Sequence, residues 1–369
     1  MKIALVSGIV VDNDAISNSV VWQANTLPGL PEVTEVDVFS QYFNHQNLGG
    51  GHVVSSIWEL VRHPRFAAAD IAIFHFGIRY QLFPALHVLS RRPDLPRTIV
   101  HYHNVTPPHL TLGGDKDTQV ESLLQAELIT YADRIWAVSD FNRSDLVQNG
   151  VEATRISVVP IPVAERSSAQ RLPSDRRRVL AVGRLVPAKG LECLIDAFER
   201  LPAELRDDCE LVLVGNPGFS DPAYIAHLRH RIDNSTALRA HVRFAGQPTD
   251  DELWKLYLSA DVLATATHHE GLCLPILEAG IAGCAVAATR VGNIPNLLTD
   301  EVLADVGDPN SLCQSLVLAL SGDPRCRPSP EVIDSHRPAS ILQVIRQEFE
   351  TLLTQQKRLV VNSAREDPP

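Results

Sequence analysis

Short, continuous apolar runs recur along the whole chain, and they constrain its fold more than any other feature. They include KIALVSGIVV, DIAIFHFG and RTIVHYHN in the first half, and RVLAVGRL, CELVLVG and DVLATAT in the second. Helical or polar stretches separate these runs. Runs of this kind are typical of parallel strands that are covered by helices on both faces. The sequence therefore predicts an α/β protein of the doubly wound type.

The sequence between these runs predicts the helices. In the first half, helix-like stretches are expected at 17–26, 52–63, 79–91, 117–131 and 140–149. In the second half, GLECLIDAFERL and DDELWKLYLSA are helix-like, and a weak last strand is expected near EVLADVG. Each half thus alternates strands and helices, and the loops that follow the strands are available for ligands.

A polar segment divides the chain into two domains. Residues 163–178 (VAERSSAQRLPSDRRR) interrupt the pattern with Ser, Pro and charge, and a chain of 369 residues is long enough for two cores. The predicted domains are residues 1–165 and 176–335. Apolar residues at helical spacing predict a terminal helix over 338–358, and the last residues, VVNSAREDPP, are expected to fray.

Charge and composition exclude several classes of protein. The formal net charge of −11 argues against broad binding to nucleic acid or anionic lipid, and Arg171 with Arg176–Arg178 is interpreted as part of a solvated linker. No apolar run approaches the roughly 20 residues of a membrane helix, and the chain opens directly into a strand, so a cytoplasmic protein is expected. The six cysteines form no CxxC pair, which argues against a zinc site and a disulfide framework.

Residues 262–283 (VLATATHHEGLCLPILEAGIAG) carry the clearest chemical signal. A strand breaks at Glu270 before a helix whose first position is predicted to be Pro275. The backbone N–H groups of the loop between them, Gly271-Leu272-Cys273-Leu274, and the helix dipole favour an anion such as phosphate. Glu270 and Glu278 flank this loop and can accept hydrogen bonds from sugar hydroxyls. The alternative is an ordinary strand–helix unit whose two glutamates are solvated.

A second phosphate-binding motif opens the second domain. Strand Val179–Val182 is followed by Gly183, Arg184 and then Lys189. The guanidinium of Arg184 can form a fork to phosphate oxygens, and Lys189 adds a point charge beside a helix start. Both side chains would then face one diphosphate. The alternative is that both are surface charges.

These two motifs together, VGRLVPAKG and HHEGLCLPILEAG, resemble the signature of family 4 glycosyltransferases, and Glu270 and Glu278 match that family's E-x7-E motif. The resemblance spans the whole chain. It implies the GT-B fold, in which two Rossmann-like domains with parallel sheets face each other and a C-terminal helix crosses back to the first domain. It also implies catalytic roles. Arg184 and Lys189 would bind the donor diphosphate and stabilise the leaving nucleotide. Glu278 would hold the ribose hydroxyls, and Glu270 with the amides of the Gly271–Leu274 loop would hold the transferred sugar and phosphate.

Two segments of the first domain are similar to segments of one bacterial subgroup of that family. Asp14-Ala-Ile-Ser-Asn18 follows the first strand and matches DAI(G/S)N, and His103-Asn104-Val-Thr-Pro follows a later strand and matches HN(I/V)TP. The resemblance implies that His103 lies near the sugar and the acceptor. It further implies that Asp14, Asn18 and Asn104 border the acceptor side. A purely structural role is the alternative for this histidine.

Three positions depart from the family pattern. Asn13 stands where many relatives have Gly, Leu272 replaces a frequent aromatic residue, and Asn296 replaces a frequent Glu. These departures bear on donor or acceptor preference more than on reaction class, because the phosphate and hydroxyl ligands all remain.

No metal site is expected. Asp12-Asn13-Asp14 looks like a metal-binding DxD motif, but Arg184 and Lys189 can neutralise the phosphate charge instead. His268-His269-Glu270 lacks the HExxH spacing that would put two imidazoles on one face of a helix. His269 is interpreted as a side chain that orients Glu270.

The resemblance implies a retaining glycosyltransferase that moves a hexosyl group from a nucleotide diphosphate sugar to a hydroxyl of a glycan or natural product. GDP-mannose is the leading donor, because the subgroup includes many mannosyltransferases, and a UDP-sugar is the alternative. No cofactor and no nucleic acid partner are expected, whereas peripheral membrane contact and the oligomeric state stay open. The rivals are a GT-B nucleotide-sugar epimerase and a non-catalytic sugar-nucleotide-binding protein. A nicotinamide-dependent oxidoreductase is disfavoured because the first strand is not followed by G-x-G-x-x-G.

Overall fold

The computed structural model describes residues 1–12, 14–111, 115–164 and 170–354. Asn13, part of the predicted linker and the predicted frayed tail lie outside these residues. The chain divides into two compact units. Unit 1 contains Met1–Val105, the described residues from 115 to 161, and the C-terminal helix from Ile341 onward. Unit 2 contains Pro162–Ser340 and the described residues from 106 to 111.

Unit 1 is built on a seven-stranded sheet in the order β3-β2-β1-β4-β5-β6-β7, and every pair in it is parallel. The strands are β1 (Lys2–Val11), β2 (Glu35–Asn44), β3 (His52–Val53), β4 (Ile71–Phe76), β5 (Arg97–Tyr102), β6 (Arg134–Ala137) and β7 (Ile156–Val158). The strand order reverses between β1 and β4. Loops at the carboxyl ends of these two strands therefore open onto the crevice where doubly wound sheets bind ligands.

The helices of unit 1 correct two of the predicted ones. They are α1 (Ala15–Thr26), α2 (Ile57–Arg62), α3 (Pro64–Ala67), α4 (Ala85–Leu89), α5 (Asp115–Ala126) and α6 (Asp140–Gln148). The helix predicted at 52–63 is wrong in its first part, because His52 pairs with Phe39 in the sheet and Ser56 caps a helix that starts only afterwards. The helix predicted at 79–91 is reduced to α4, which starts directly after Pro84.

Unit 2 is built on a five-stranded parallel sheet in the order β10-β9-β8-β11-β12. Its strands are β8 (Arg177–Val182), β9 (Cys209–Val214), β10 (Val242–Gly246), β11 (Val262–Thr265) and β12 (Ala285–Ala288). Its helices are α7 (Leu191–Glu199), α8 (Ala203–Asp207), α9 (Pro222–Asp233), α10 (Thr236–Arg239), α11 (Asp250–Ser259), α12 (Leu274–Ala282), α13 (Pro309–Leu320) and α14 (Pro330–Ser335). The strand predicted near EVLADVG is wrong, since Ala304 makes only a single bridge, to Thr289.

Both sheets are buried on both faces, which explains why their strands are apolar without alternation. In β8, Val179 belongs to one hydrophobic cluster and Leu180 to a second cluster on the other face. In β1, Ala4 and Leu5 divide in the same way between two clusters of unit 1. The helices therefore cover each sheet from two sides and leave its carboxyl edge to the loops.

The C-terminal helix α15 (Pro338–Thr354) packs on unit 1. Its buried side chains, Ile341, Ile345, Phe349 and Leu352, belong to the same hydrophobic cluster as residues of β1 and β4. Glu348 pairs with Arg134 of β6 at 3.1 Å and accepts a hydrogen bond from the indole nitrogen of Trp136 at 3.3 Å. Chain from beyond unit 2 thus completes one face of the first core, as the GT-B resemblance implies. Among the described helices, none has the length and apolarity to span a bilayer.

Truncating the buried face of α15 should destabilise unit 1. Phe349 is 1% exposed and its ring lies 5.8 Å from that of Trp136, so Phe349→Ala should lower the free energy of unfolding by about 3–5 kcal/mol. Leu353, on the same helix, is 51% exposed, and Leu353→Ala should change it by less than about 0.5 kcal/mol. Urea unfolding followed by circular dichroism measures both. Equal losses would contradict the packing described.

Candidate functional site

Helix α12 begins one residue earlier than predicted, at Leu274. Cys273 is its N-cap and has a left-handed backbone (φ 67°), so Pro275 takes the second helical position instead of the first. The missing N–H of a proline costs nothing at either position, because the first N–H groups of a helix have no partner within it. No described side chain caps this helix. Its first turn therefore presents backbone N–H groups and the positive end of the helix dipole, as an anion site requires.

A turn that contains Gly292 holds Glu270 in place. Gly292 has φ 58°, and a Cβ added to it would lie 1.9 Å from the carbonyl oxygen of Glu270. That same oxygen accepts a hydrogen bond from the N–H of Asn293 at 3.1 Å. Only glycine fits this close approach. The sequence drew attention to this turn only through Asn296, and its positioning role was missed, although a glycine inside GNIPN was the available signal.

A second close contact joins the two predicted phosphate motifs. Gly190 has φ 61°, and a Cβ there would lie 2.1 Å from the carbonyl oxygen of Ala266. The N–H of His268 donates to the carbonyl oxygen of Ala188 at 2.8 Å, and the hydroxyl of Thr267 donates to it at 3.2 Å. The turn that carries Lys189 is thereby fastened to the segment that leads to Glu270.

Lys189 and Glu270 form an ion pair. The ammonium nitrogen of Lys189 lies 2.6 Å from Oε2 of Glu270, and the two side chains are 27% and 16% exposed. Arg184 is exposed, and among the described residues its guanidinium has no ion-pair partner. One cation is thus held in place while the other is open to solvent, both in unit 2. These charges, with the first turn of α12, can bind phosphate groups.

Glu278 is held by a tyrosine that the sequence did not point to. The hydroxyl of Tyr257, on α11, donates to Oε2 of Glu278 at 2.6 Å. Tyr257 is buried, and this burial together with the adjacent Glu278 raises the pKa of the phenol well above its usual value, so the hydroxyl remains a donor. The contact joins α11 to α12, and no sequence pattern near either residue predicts it. It fixes the orientation of the predicted ribose-binding carboxylate.

A cavity of about 410 Å³ adjoins the Lys189 turn within unit 2. Its lining includes Ala188, Gly190, Glu192, His268 and Pro309. A cavity of this volume is in the range that takes part of a small-molecule ligand. A second cavity, of about 530 Å³, is lined by residues that include Arg178, Arg243 and Lys255 and shares no lining residue with the first. The first cavity belongs to the candidate site, because residues of the two phosphate motifs line it.

The predicted acceptor-side residues Asp14 and Asn18 have structural partners at the end of β1. Asp14 caps α1, since its carboxylate accepts from the N–H and the hydroxyl of Ser17 at 2.8 and 2.7 Å. The amide oxygen of Asn18 lies 3.2 Å from Nε2 of His45. Asn104 has a left-handed backbone with φ 83°. All three lie in loops or helix starts at the carboxyl edge of the first sheet, as predicted, and Asp14 also has the structural role of a cap.

His103 belongs to a cluster of three histidines in unit 1, of which His75 and His101 are fully buried. Its ring stacks on that of His75 with centroids 5.2 Å apart, and the ring of His101 lies 4.5 Å away. His75 and His101 are opposite each other in the register of β4 and β5. Burial, followed by repulsion from neighbouring histidines, lowers the pKa of His75 and His103 well below the usual value, and burial lowers that of His101 to about 4. The sequence predicted a role for His103, whereas it did not point to His75.

Comparison with known proteins points to one class. Residues 163–328 match the family described as "Glycosyl transferases group 1". O-antigen chain mannosyltransferase B of Escherichia coli is 29% identical over 216 residues, which are 55% of this chain and 54% of that protein. D-inositol 3-phosphate glycosyltransferase of Corynebacterium diphtheriae is 27% identical over 276 residues, 69% of this chain and 63% of that protein. The chain spans about half the length of the first curated relatives it matches.

Solved structures share the fold. Anabaena Alr3699/HepE, in complex with UDP-glucose, superposes with a TM-score of 0.72 at 18% identity and covers 96% of this chain and 100% of its own. The apo form of the lipopolysaccharide outer core galactosyltransferase WaaB superposes with a TM-score of 0.69 at 16% identity, covering 95% of this chain and 99% of its own. The fold expected from the resemblance, GT-B, is confirmed.

The close approach at Gly292 can be tested by adding one methyl group. Gly292→Ala should lower the free energy of unfolding by about 3 kcal/mol, because both the left-handed backbone and the contact with Glu270 become strained. Gly322 also has a positive φ, 82°, but no described atom lies within 4 Å of the place that an added Cβ would take, so Gly322→Ala should cost only about 1–2 kcal/mol. Thermal and urea unfolding measure both. If Gly292→Ala lowers the free energy of unfolding no more than Gly322→Ala does, the close contact with Glu270 is wrong.

Proposed function

We propose that this chain is a retaining glycosyltransferase that moves a hexosyl group from a nucleotide diphosphate sugar to an acceptor hydroxyl, because residues 163–328 match the family of group 1 glycosyl transferases. The observation that carries the proposal is the ion pair between Lys189 and Glu270, at 2.6 Å, in the segment that leads to the first turn of α12. A cation, a carboxylate and a row of backbone N–H groups meet the needs of a sugar joined to a phosphate.

The proposed reaction breaks the bond between the anomeric carbon and the phosphate oxygen, and the nucleoside diphosphate leaves with a full extra negative charge. Arg184 and Lys189, with the amides of the Gly271–Leu274 loop, stabilise that charge. Because turns containing Gly190 and Gly292 hold Lys189 and Glu270 before the ligand arrives, these two groups need little reorganisation during the reaction. No metal is needed in this proposal, since the two cations supply the positive charge.

The acceptor oxygen forms the new bond to the anomeric carbon on the face from which the diphosphate leaves. Its proton passes to a phosphate oxygen of the departing diphosphate, so atoms and charges balance. Glu270 accepts hydrogen bonds from hydroxyls of the transferred sugar while it keeps Lys189 in place. Glu278, oriented by the hydroxyl of Tyr257, accepts from the ribose hydroxyls.

We propose GDP-mannose as the donor, with a UDP-sugar as the alternative. The names of the relatives support either choice, because they include a mannosyltransferase of O-antigen chains and a lipopolysaccharide 1,2-N-acetylglucosaminetransferase of Salmonella typhimurium, 27% identical over 246 residues. Both names refer to glycans, an O-antigen chain and lipopolysaccharide, and a glycan hydroxyl is the proposed acceptor here. We also propose that His103 of unit 1 contacts the sugar and the acceptor, and that Asp14, Asn18 and Asn104 border the acceptor, as the resemblance implies.

A panel of nucleotides tests the proposal directly. GDP, UDP, GDP-mannose and UDP-glucose are added separately, and the melting temperature is measured. A ligand at 100 times its dissociation constant should stabilise the protein by about 2.7 kcal/mol. Stabilisation by diphosphates of one base, GDP and GDP-mannose in the leading case, supports the proposal. If no nucleoside diphosphate raises the melting temperature, the proposal is wrong.

Removing Lys189 should slow the chemical step. Lys189→Ala should reduce the rate at which free nucleoside diphosphate is released from the stabilising donor by about 10²–10³-fold, because one preset cation at the leaving group is lost. Lys255, exposed on α11, provides the control, and Lys255→Ala should retain the rate. Release is measured with water and with a glycan acceptor. Conversion of the donor to its sugar epimer, without free nucleotide, would instead indicate the rival epimerase.

Tyr257 should affect nucleotide binding through Glu278. Tyr257→Phe removes the hydrogen bond at 2.6 Å, and the dissociation constant of the stabilising nucleoside diphosphate should rise about tenfold. Tyr224 is the matched control, since it is also buried and its hydroxyl accepts from the N–H of Glu192. Tyr224→Phe should leave the dissociation constant within about twofold of wild type. An unchanged affinity in Tyr257→Phe would contradict the role of Glu278.

A further inference from the structure

Four side chains of unit 1 form one continuous line of hydrogen bonds that starts at a backbone carbonyl. Nε2 of His101 lies 2.9 Å from the carbonyl oxygen of Val159, and Nδ1 of the same ring lies 3.1 Å from the amide nitrogen of Gln23. The amide oxygen of Gln23 lies 3.2 Å from Nε2 of His75. Nδ1 of His75 lies 3.0 Å from Nε2 of His103. We call these residues the histidine chain; its members Gln23, His75 and His101 are each 1% exposed.

The carbonyl of Val159 sets the direction of the first two bonds. A carbonyl oxygen can only accept, so Nε2 of His101 carries a hydrogen. Burial lowers the pKa of His101 to about 4, so the ring is neutral at neutral pH and its Nδ1 is a bare acceptor. The amide nitrogen of Gln23 therefore donates to this atom, and the amide oxygen of Gln23 is turned toward His75.

The remaining hydrogen bonds of the histidine chain also have a fixed direction. The amide oxygen of Gln23 accepts from Nε2–H of His75, whose ring is also neutral because burial lowers its pKa. Nδ1 of His75 is then bare and accepts from Nε2–H of His103. His103 is neutral for the same reason, so its Nδ1 is bare as well. That atom is buried and has no hydrogen-bond partner among the described residues.

We propose that Gln23 is a positioning residue that holds His103 in one orientation and one tautomer, with Nδ1 as an acceptor for a hydroxyl of the sugar or acceptor. Only the identity of the hydroxyl rests on the proposed function. A chain of the opposite polarity would need hydrogens on both nitrogens of His101 and hence a buried cation, which is costly without a counter-charge. The histidine chain thus determines that His103 accepts a hydrogen bond and does not donate one at Nδ1.

A metal ion is the competing explanation for three histidines whose ligand atoms lie within 4.8 Å of one another. A metal needs a bare nitrogen from each ring. In the histidine chain, both nitrogens of His101 and both of His75 already have partners, and Nδ1 of His103 is the one ring nitrogen left. The geometry therefore favours a hydrogen-bonded chain, and metal binding is an outcome that the experiment distinguishes.

The experiment reads the tautomers directly by nuclear magnetic resonance of protein labelled with ¹⁵N-histidine at neutral pH. His75, His101 and His103 should each show a protonated Nε2 and a bare Nδ1, with assignments from single His→Asn variants. Gln23→Met keeps the side-chain length and removes both hydrogen bonds, so His103 should become a mixture of tautomers. Ser19→Ala is the control, because Ser19 is buried on the same helix as Gln23 but lies outside the histidine chain. In this variant the His103 signals should stay as in wild type.

Gln23→Met should also lower kcat/KM for the donor that stabilises the protein by at least about tenfold, while Ser19→Ala leaves it unchanged. A His103 with hydrogen on Nδ1 in the wild type overturns the proposal, as do unchanged His103 signals or full activity in Gln23→Met. Zinc chloride at one equivalent should leave the three rings unaffected; a joint shift of all three would identify a metal site instead. Failure of the proposed function is seen separately, because the tautomers are measured without any substrate.

Discussion

The ion pair between Lys189 and Glu270 is the interaction on which the rest of the candidate site depends. It joins two loops that are 81 residues apart in sequence, and both partners are largely withdrawn from water. A largely buried pair of this kind is stable only when its surroundings hold both charges at contact distance. Here that support comes from glycine. Gly190 lets one loop reach the backbone of Ala266, and Gly292 lets a second turn reach the backbone of Glu270.

The two units use different chemistry. In unit 2 the candidate site consists of charged groups, namely Arg184, Lys189, two glutamates and the positive end of α12. Charged groups suit a ligand whose reacting bond leaves a negative product. Unit 1 places a row of neutral donors and acceptors at the carboxyl edge of its sheet, where burial keeps the histidines uncharged. Neutral groups with a fixed direction suit hydroxyls, which need orientation more than charge. This division fits a reaction in which one substrate carries phosphates and the other carries a hydroxyl.

Local sequence signals were reliable where backbone chemistry decides the outcome. The apolar runs predicted parallel strands, because a strand buried on both faces needs apolar residues at successive positions. The start of α12 was predicted within one residue, since Pro275 suits either of the first two helical positions. The failures lie where partners distant in sequence compete. His52, predicted in a helix, pairs with Phe39 in the sheet. The apolar run around Ala304, predicted as a strand, makes a single bridge and forms no strand.

By itself, the sequence determined most of the strands and helices and their order, the places where loops meet sheet edges, and the residue types that can bind phosphates and hydroxyls. These follow from periodicity, capping and charge, which act over a few residues. The tertiary structure alone decided that Lys189 contacts Glu270, that Tyr257 holds Glu278 and that Gln23 joins His75 to His101. Each of these contacts joins residues that are brought together by the packing of sheets and helices. A hydrogen bond forms only when its two heavy atoms lie about 3 Å apart, and that packing determines the distance.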